Sequence, residues 1–268
     1  MKKLFSFFAF VAIMISFAAC GGNSNEPEAA VLGKFSVGDG KQVYFAKGNL
    51  WRSTNLITME KIWYFAPRQW DMIGDAPSMY TERYSWNELK ESLDNWTINS
   101  IQNGGGYTWR VLSNDEWNYL FHSRDNADKL FTHANVYGVN GVIILPDDWD
   151  IDHETDLTLN TLEWVDVLNG QYKGNSTNDY YAINTITDQW DALDKKGAIF
   201  LPAAGSVIPN KPVEGFGKNG AYWSSTPTPR YVAEDHIYYL LFEPSTLYPS
   251  WSYIPTILRT VRLVRDVK

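Results

Sequence analysis

The stretch Tyr107–Phe121, YTWRVLSNDEWNYLF, constrains the fold of this chain more than any other. A β-prone run from Tyr107 to Leu112 meets the polar residue Ser113. Apolar residues then follow at Trp117, Leu120 and Phe121, the spacing of one helical face. Ser113 with Glu116 three residues later predicts a capping box, in which each side chain satisfies a backbone N–H that the first helical turn leaves unpaired. A strand running straight into an amphipathic helix is the expectation. Strand, cap and core Trp account for every residue in the stretch.

The N-terminus bears on the compartment. Lys2 and Lys3 precede an almost wholly apolar run, Leu4 to Ala19, with small residues at Ala18 and Ala19 before Cys20. That run is shorter than the ~20 residues a spanning helix needs, and no positive stop-transfer cluster follows it. Residues 1–19 therefore read as a cleaved secretory signal. Phe17-Ala18-Ala19-Cys20 resembles a bacterial lipobox, which implies that Cys20, the single cysteine, is lipidated and becomes the mature N-terminus. The rival is an ordinary signal peptide that leaves a free thiol. Residues 20–33 read as a flexible tether, because Gly21–Ala30 has no apolar residue larger than Ala, and residues 34–268 read as one domain. The formal charge is −8, and cleavage would remove two further positive charges, which argues against a nucleic-acid partner.

Along the domain, Val37, the Gly38-Asp39-Gly40 turn, Val43 and Phe45 predict a hairpin. Lys61–Trp70 holds an aromatic strand stopped by Pro67, and Ser85 with Glu88 caps a helix carrying Trp86, Leu89, Leu93 and Trp96. Val139–Pro146 reads as an interior strand, the section up to Thr187 as a long polar loop, and Thr187–Lys196 as a third helix stopped by Gly197.

Arg110–Tyr119 resembles the "RLPTEAEWEY" signature of the formylglycine-generating-enzyme branch of the C-type-lectin-like fold, with Val111 and Ser113 as variants. The order Phe200-Leu201-Pro202-Ala203-Ala204-Gly205, Tyr222-Trp223-Ser224-Ser225-Thr226, Tyr238–Phe242 and Val261–Arg265 is similar to a large group of Bacteroidota surface lipoproteins related to the Fibrobacter succinogenes major paralogous domain. The resemblance implies an α+β, C-type-lectin-like domain of mixed antiparallel sheets with two to three helices, in which first and last strands pair. It also implies an outer-membrane lipoprotein at the cell surface, with the periplasmic face as the other possibility.

Chemistry is harder to find. The formylglycine-generating relatives use a cysteine pair, which this chain lacks. Glu243-Pro244-Ser245 resembles half of a sugar-binding Ca²⁺ motif but reads as a turn. Asp148, Asp150, Asp152, Glu154 and Asp156 fall at period two, which in an extended chain would line up carboxylates for Ca²⁺. A solvated acidic loop is preferred, since the spacing of known calcium loops is missing, and no other cofactor is implied. None of the four histidines has metal-ligand spacing, and no nucleophile motif is present.

Aromatics are the remaining signal. Tyr248-Pro249-Ser250-Trp251-Ser252-Tyr253-Ile254-Pro255 reads as a proline-stiffened loop between strands, either holding rings for a ligand or folding them back over the core. Arg259, Arg262 and Arg265 cannot share one strand face and are expected to pair with carboxylates. The expectation is a non-catalytic, adhesin-like, lipid-anchored protein that binds an extracellular glycan or protein through Trp223, Tyr248, Trp251 and Tyr253. A structural subunit of a surface assembly and a polysaccharide-acting enzyme are the alternatives.

Overall fold

The structure, a computed structural model, describes residues 29–55, 57–73, 80–153, 157–166, 170–229 and 235–268. The leader, Cys20 and most of the expected tether lie outside the described residues. The rest is α+β, with mostly antiparallel sheets and three α-helices among the described residues. None of these helices is long and apolar enough to cross a membrane.

The expected hairpin forms from strands Phe35–Gly38 and Lys41–Phe45, with Val43 and Phe45 buried. It is the start of a five-stranded sheet that continues through Val264–Asp266, Trp109–Arg110 and Thr97–Ile98. The last strand pairs with the strand that carries Val43 and Phe45, the second of the hairpin, and it starts at Val264, just past Val261 and Leu263: Val264 faces Phe45 and Asp266 faces Val43. Ala29–Gly33, expected as tether, belong to this body. Val31 N–H donates to the Phe45 carbonyl, Ala30 bridges Ala46, and all but Leu32 are buried. Small side chains let this segment press against its neighbours. A Cβ on Gly33 would stand 2.4 Å from the Gly197 carbonyl oxygen.

Helix α1 (Trp86–Ser92) starts at Ser85, whose hydroxyl accepts from Glu88 N–H. The return half of that box is replaced by an ion pair of Glu88 with Arg52. Trp96 lies beyond the helix in a left-handed conformation, yet its ring still packs 4.8 Å from that of Trp86. Helix α2 (Asn114–Asn118) has both halves of its capping box and runs on into a π-helical turn, Tyr119–Ser123. Trp117, Leu120 and Phe121 face the core as the periodicity predicts. Helix α3 (Trp190–Lys195) buries Trp190 and Leu193, and Gly197 follows at φ +90°.

A four-stranded sheet, in the order Thr185–Ile186, Phe131–Val136, Val139–Ile144, Ile199–Pro202, sits between two cores. Val142 and Ile144 join Phe35, Phe45, Trp117 and Phe121 on one side, while Ile143 and Leu145 join Trp190 and Phe200 under α3 on the other. This explains why Val142–Leu145 is apolar on both faces. A third core gathers Trp63, Trp86, Trp109, Trp223 and Leu263. The section expected as a long loop holds a hairpin, Glu163–Val165 with Gln171–Lys173, a 3₁₀ turn at Tyr180–Ile183 and the strand Thr185–Ile186. Its polar side chains tie it to the neighbouring sheet: Asn184 Nδ2 donates to the carbonyls of His133 and Thr158, both far away in sequence.

Candidate functional site

Tyr248–Pro255 is not a loop between strands, because Thr246–Tyr253 is itself a strand. It pairs antiparallel with Ile237–Glu243, which in turn pairs with Gly220–Pro227. Leu241 faces Tyr248 and Tyr239 faces Trp251, so three steps on one strand match two on the other. The extra residue makes a bulge at Pro249-Ser250. On the other side, Gln171–Lys173 pairs only with Thr246 and Leu247, so Pro249 stands past the paired stretch, where its missing N–H interrupts no ladder. The bulge brings Tyr248 and Trp251, three residues apart, to ring contact at 4.8 Å. Trp251 is 37 % exposed, Tyr253 46 % and Tyr248 is half-buried. His236 lies 5.8 Å from the Tyr253 ring.

Behind these rings sits Arg259, 3 % exposed, its guanidinium 3.8 Å from the Tyr239 ring centre, 4.4 Å from Trp223 and 5.9 Å from Tyr253. Burial lowers its pKa and the adjacent Tyr239 opposes that. The expected carboxylate partners are thus replaced by rings. Arg265 likewise lies over Tyr44 and Tyr107, and Arg262 bonds to carbonyls and an amide oxygen. Trp223 is 1 % exposed, and its Nε1 donates to the Tyr84 carbonyl at 2.8 Å with Arg259 against its face. It is a core residue with no surface to offer a ligand, which corrects its expected place in the site.

The acidic run does not extend. The chain turns at 147–148 and again at 151–153, so alternate carboxylates do not share a side. Asp147 is drawn inward: it accepts from Ser36 N–H and Oγ, from Gln42 Nε2 and from the buried Arg124. Asp148, Asp150 and Asp152 are exposed. The Asp150 carboxylate accepts from the backbone N–H groups of Asp152 and His153 and contacts His153 Nδ1 at 3.1 Å, contacts that hold its pKa down. It closes a local turn, as aspartates commonly do. Glu154 and Asp156 lie outside the described residues. Among the described residues no three His, Cys, Asp or Glu are placed to hold a metal. Glu243 and Thr246 end the two paired strands and Pro244-Ser245 turn between them, as expected.

Two surface features escaped the sequence reading. The first is a shelf of Trp70, Tyr137 and Phe216. Tyr137 and Gly138 both have positive φ, +49° and +84°, in the tight turn between Phe131–Val136 and Val139–Ile144. A large aromatic is unusual there. Its ring lies 4.6 Å from Trp70, whose other neighbours include Arg68 and the edge-on ring of Trp190. The second is a groove of about 580 Å³ along Val264–Asp266, lined by Lys34, Tyr44, Thr97, Tyr107, Thr108, Arg110, Arg265, Asp266 and Lys268. No spacing in the sequence links these residues; only the sheet order does. No family model matches the chain, and neither a curated protein nor a solved structure matches it.

Proposed function

We propose that this chain is a non-catalytic, C-type-lectin-like envelope protein, lipid-anchored through Cys20 at the bacterial outer membrane. In this reading it binds an extracellular glycan or protein through Tyr248, Trp251 and Tyr253. The observation that carries the proposal is the aromatic row on strand Thr246–Tyr253: two exposed rings and a half-buried third, with the bulge setting Tyr248 against Trp251. A strand holds side chains with less freedom than a loop, so little ordering entropy is lost when a ligand docks. Flat rings with a polar edge suit both the apolar face of a sugar and a protein anchor. The net charge of −8 disfavours nucleic acid.

The assembly-subunit reading is favoured by a different observation. Between strands Leu50–Thr54 and Lys61–Phe65, Ile57 is 93 % exposed and Met59 70 %. Apolar side chains at a hairpin tip suit insertion into a protein partner.

A glycan and mucin binding screen on the full chain, beside a Trp251→Ala/Tyr253→Ala variant with an unchanged circular dichroism spectrum, tests the first reading. Binding by the parent and its loss in the variant is the expected result. Equal binding by both places the site elsewhere, and no binding by either favours the assembly subunit, whose partner would then be sought by cross-linking through Ile57 and Met59 positions. Fractionation of cells carrying Cys20→Ala tests the anchor, which predicts release of the protein from the membrane.

A further inference from the structure

We propose that the groove along strand Val264–Asp266 is a second binding site, and that it takes a saccharide carrying an isolated acidic group, carboxylate or sulfate. It shares no lining residue with the aromatic row on Thr246–Tyr253, so the two stand or fall separately.

Charge is the first argument. On a chain of net charge −8, this groove is lined by Lys34, Arg110, Arg265 and Lys268 against a single acidic side chain, Asp266. Asp266 is already engaged, accepting from Arg110 Nε at 3.0 Å and from its terminal nitrogen at 2.7 Å. Arg110 also grips Glu116 through two bonds of 2.8 Å. Burial alone would lower the pKa of Arg110, but these carboxylates outweigh it and raise it. Arg110 is therefore a fixed, neutralised wall.

Arg265 is different. Its guanidinium is 4.0 Å from the Tyr107 ring centre and 5.4 Å from that of Tyr44, and its buried Nε has no hydrogen-bond acceptor. Among the described residues no carboxylate lies within ion-pair distance of Arg265, Lys34 or Lys268. A cation positioned between rings and left without a counter-ion is suited to an anion brought by a ligand.

Shape and chemistry narrow the class. The volume lies in the range of small-molecule sites, about 300–1,000 Å³. Tyr107 is 37 % exposed, which leaves ring surface for the apolar face of a pyranose, and Thr108 supplies a hydroxyl at the rim. A polyanion would meet repulsion from the rest of the molecule within about a Debye length, ~8 Å at physiological salt, whereas one isolated acid on an otherwise neutral sugar would not.

The test is calorimetric titration of the full chain with 3′-sialyllactose, with 6-sulfated lactose and with lactose. The two acidic sugars separate carboxylate from sulfate as the source of the anion, and binding of either one supports the proposal. The acidic sugar should bind at least about tenfold tighter than lactose, the worth of one charge-assisted bond. Arg265→Gln should abolish that preference, and Lys129→Gln, an exposed charge outside the groove, should leave it intact. If Arg265→Gln does not fold, Lys34→Gln/Lys268→Gln decides, since both lysines are exposed; its expected effect is a severalfold loss of affinity for the acidic sugar alone. Equal affinity for acidic and neutral sugars, an equal loss in Lys129→Gln, or binding to phosphatidylglycerol vesicles with none to the sugars would each overturn the proposal. So would a preference that survives Arg265→Gln and vanishes in Trp251→Ala/Tyr253→Ala.

Discussion

Arg262 donates to four oxygens from three segments: Asn49 Oδ1 at 3.0 Å and the carbonyls of Ala46, Gln69 and Phe200 at 2.9, 3.3 and 2.8 Å. Burial lowers its pKa to about 10, opposed by Tyr222, so it stays charged at neutral pH as a cross-brace between the cores. Two other buried groups make stability depend on pH in opposite directions. Burial pushes the Glu82 carboxyl up to about 7, against the pull of Arg83 and the Ile73 N–H. Its fold therefore prefers the neutral acid, and stability falls as pH rises from about 4.5 to about 7 and stays lower above that. Burial also lowers His133 to about 4, opposed by its bond to the Glu243 carbonyl, so its share of stability is lost as pH falls from 6.5 towards 4. Between about 4.5 and 6.5 the two slopes cancel. Glu82→Gln should leave the His133 slope alone, so that chemical denaturation shows stability rising from pH 4 to 6.5. At pH 8 the variant should be more stable than the parent by up to about 3 kcal/mol. Unchanged pH profiles in the two proteins would show that Glu82 titrates normally.

At the scale of elements, the Ser113 cap illustrates local chemistry that fixes a boundary. Its hydroxyl accepts from Glu116 N–H while the Glu116 carboxylate accepts from Ser113 N–H and grips Arg110. Ser113→Ala should cost about 1 kcal/mol in urea denaturation and leave the fold otherwise intact. Features of this kind were legible in the sequence: the Gly38-Asp39-Gly40 hairpin, the strand into α2, the Gly197 stop and the two-sided strand at Val142–Leu145 each follow from neighbouring residues. The short strands of residues 163–186 were not, because two- and three-residue strands are defined by partners far along the chain. The proline in Thr246–Tyr253 argued for a loop, and only the bulge and the short length of Gln171–Lys173 make a strand admissible there. Trp223 read as a surface ring because nothing in Tyr222–Thr226 shows that Tyr84 and Arg259 close over it. Of the aromatic site, Trp251 and Tyr253 were found exposed. The basic groove along Val264–Asp266 draws on residues from five separate segments and was invisible.

For the whole molecule, strand Val264–Asp266 is the closure. It lies between Lys41–Phe45 and Trp109–Arg110, and Val267 N–H adds a bond to the Gln42 carbonyl. Deleting residues 264–268 should expose two strand edges at once and release Arg110 from Asp266. The expected outcome is loss of the near-ultraviolet circular dichroism of the packed rings, with aggregation on concentration. A truncated chain that keeps that spectrum and melts cooperatively would show the closure to be dispensable. The same placement orders events in time. Lys41–Phe45 is synthesised well before Val264–Asp266, its neighbour in the sheet, so the first sheet cannot close until the whole stretch between them is available. Until then, residues 41–45 and 109–110 remain an unfilled slot, and a chaperone that holds that slot would keep the protein unfinished without unfolding anything.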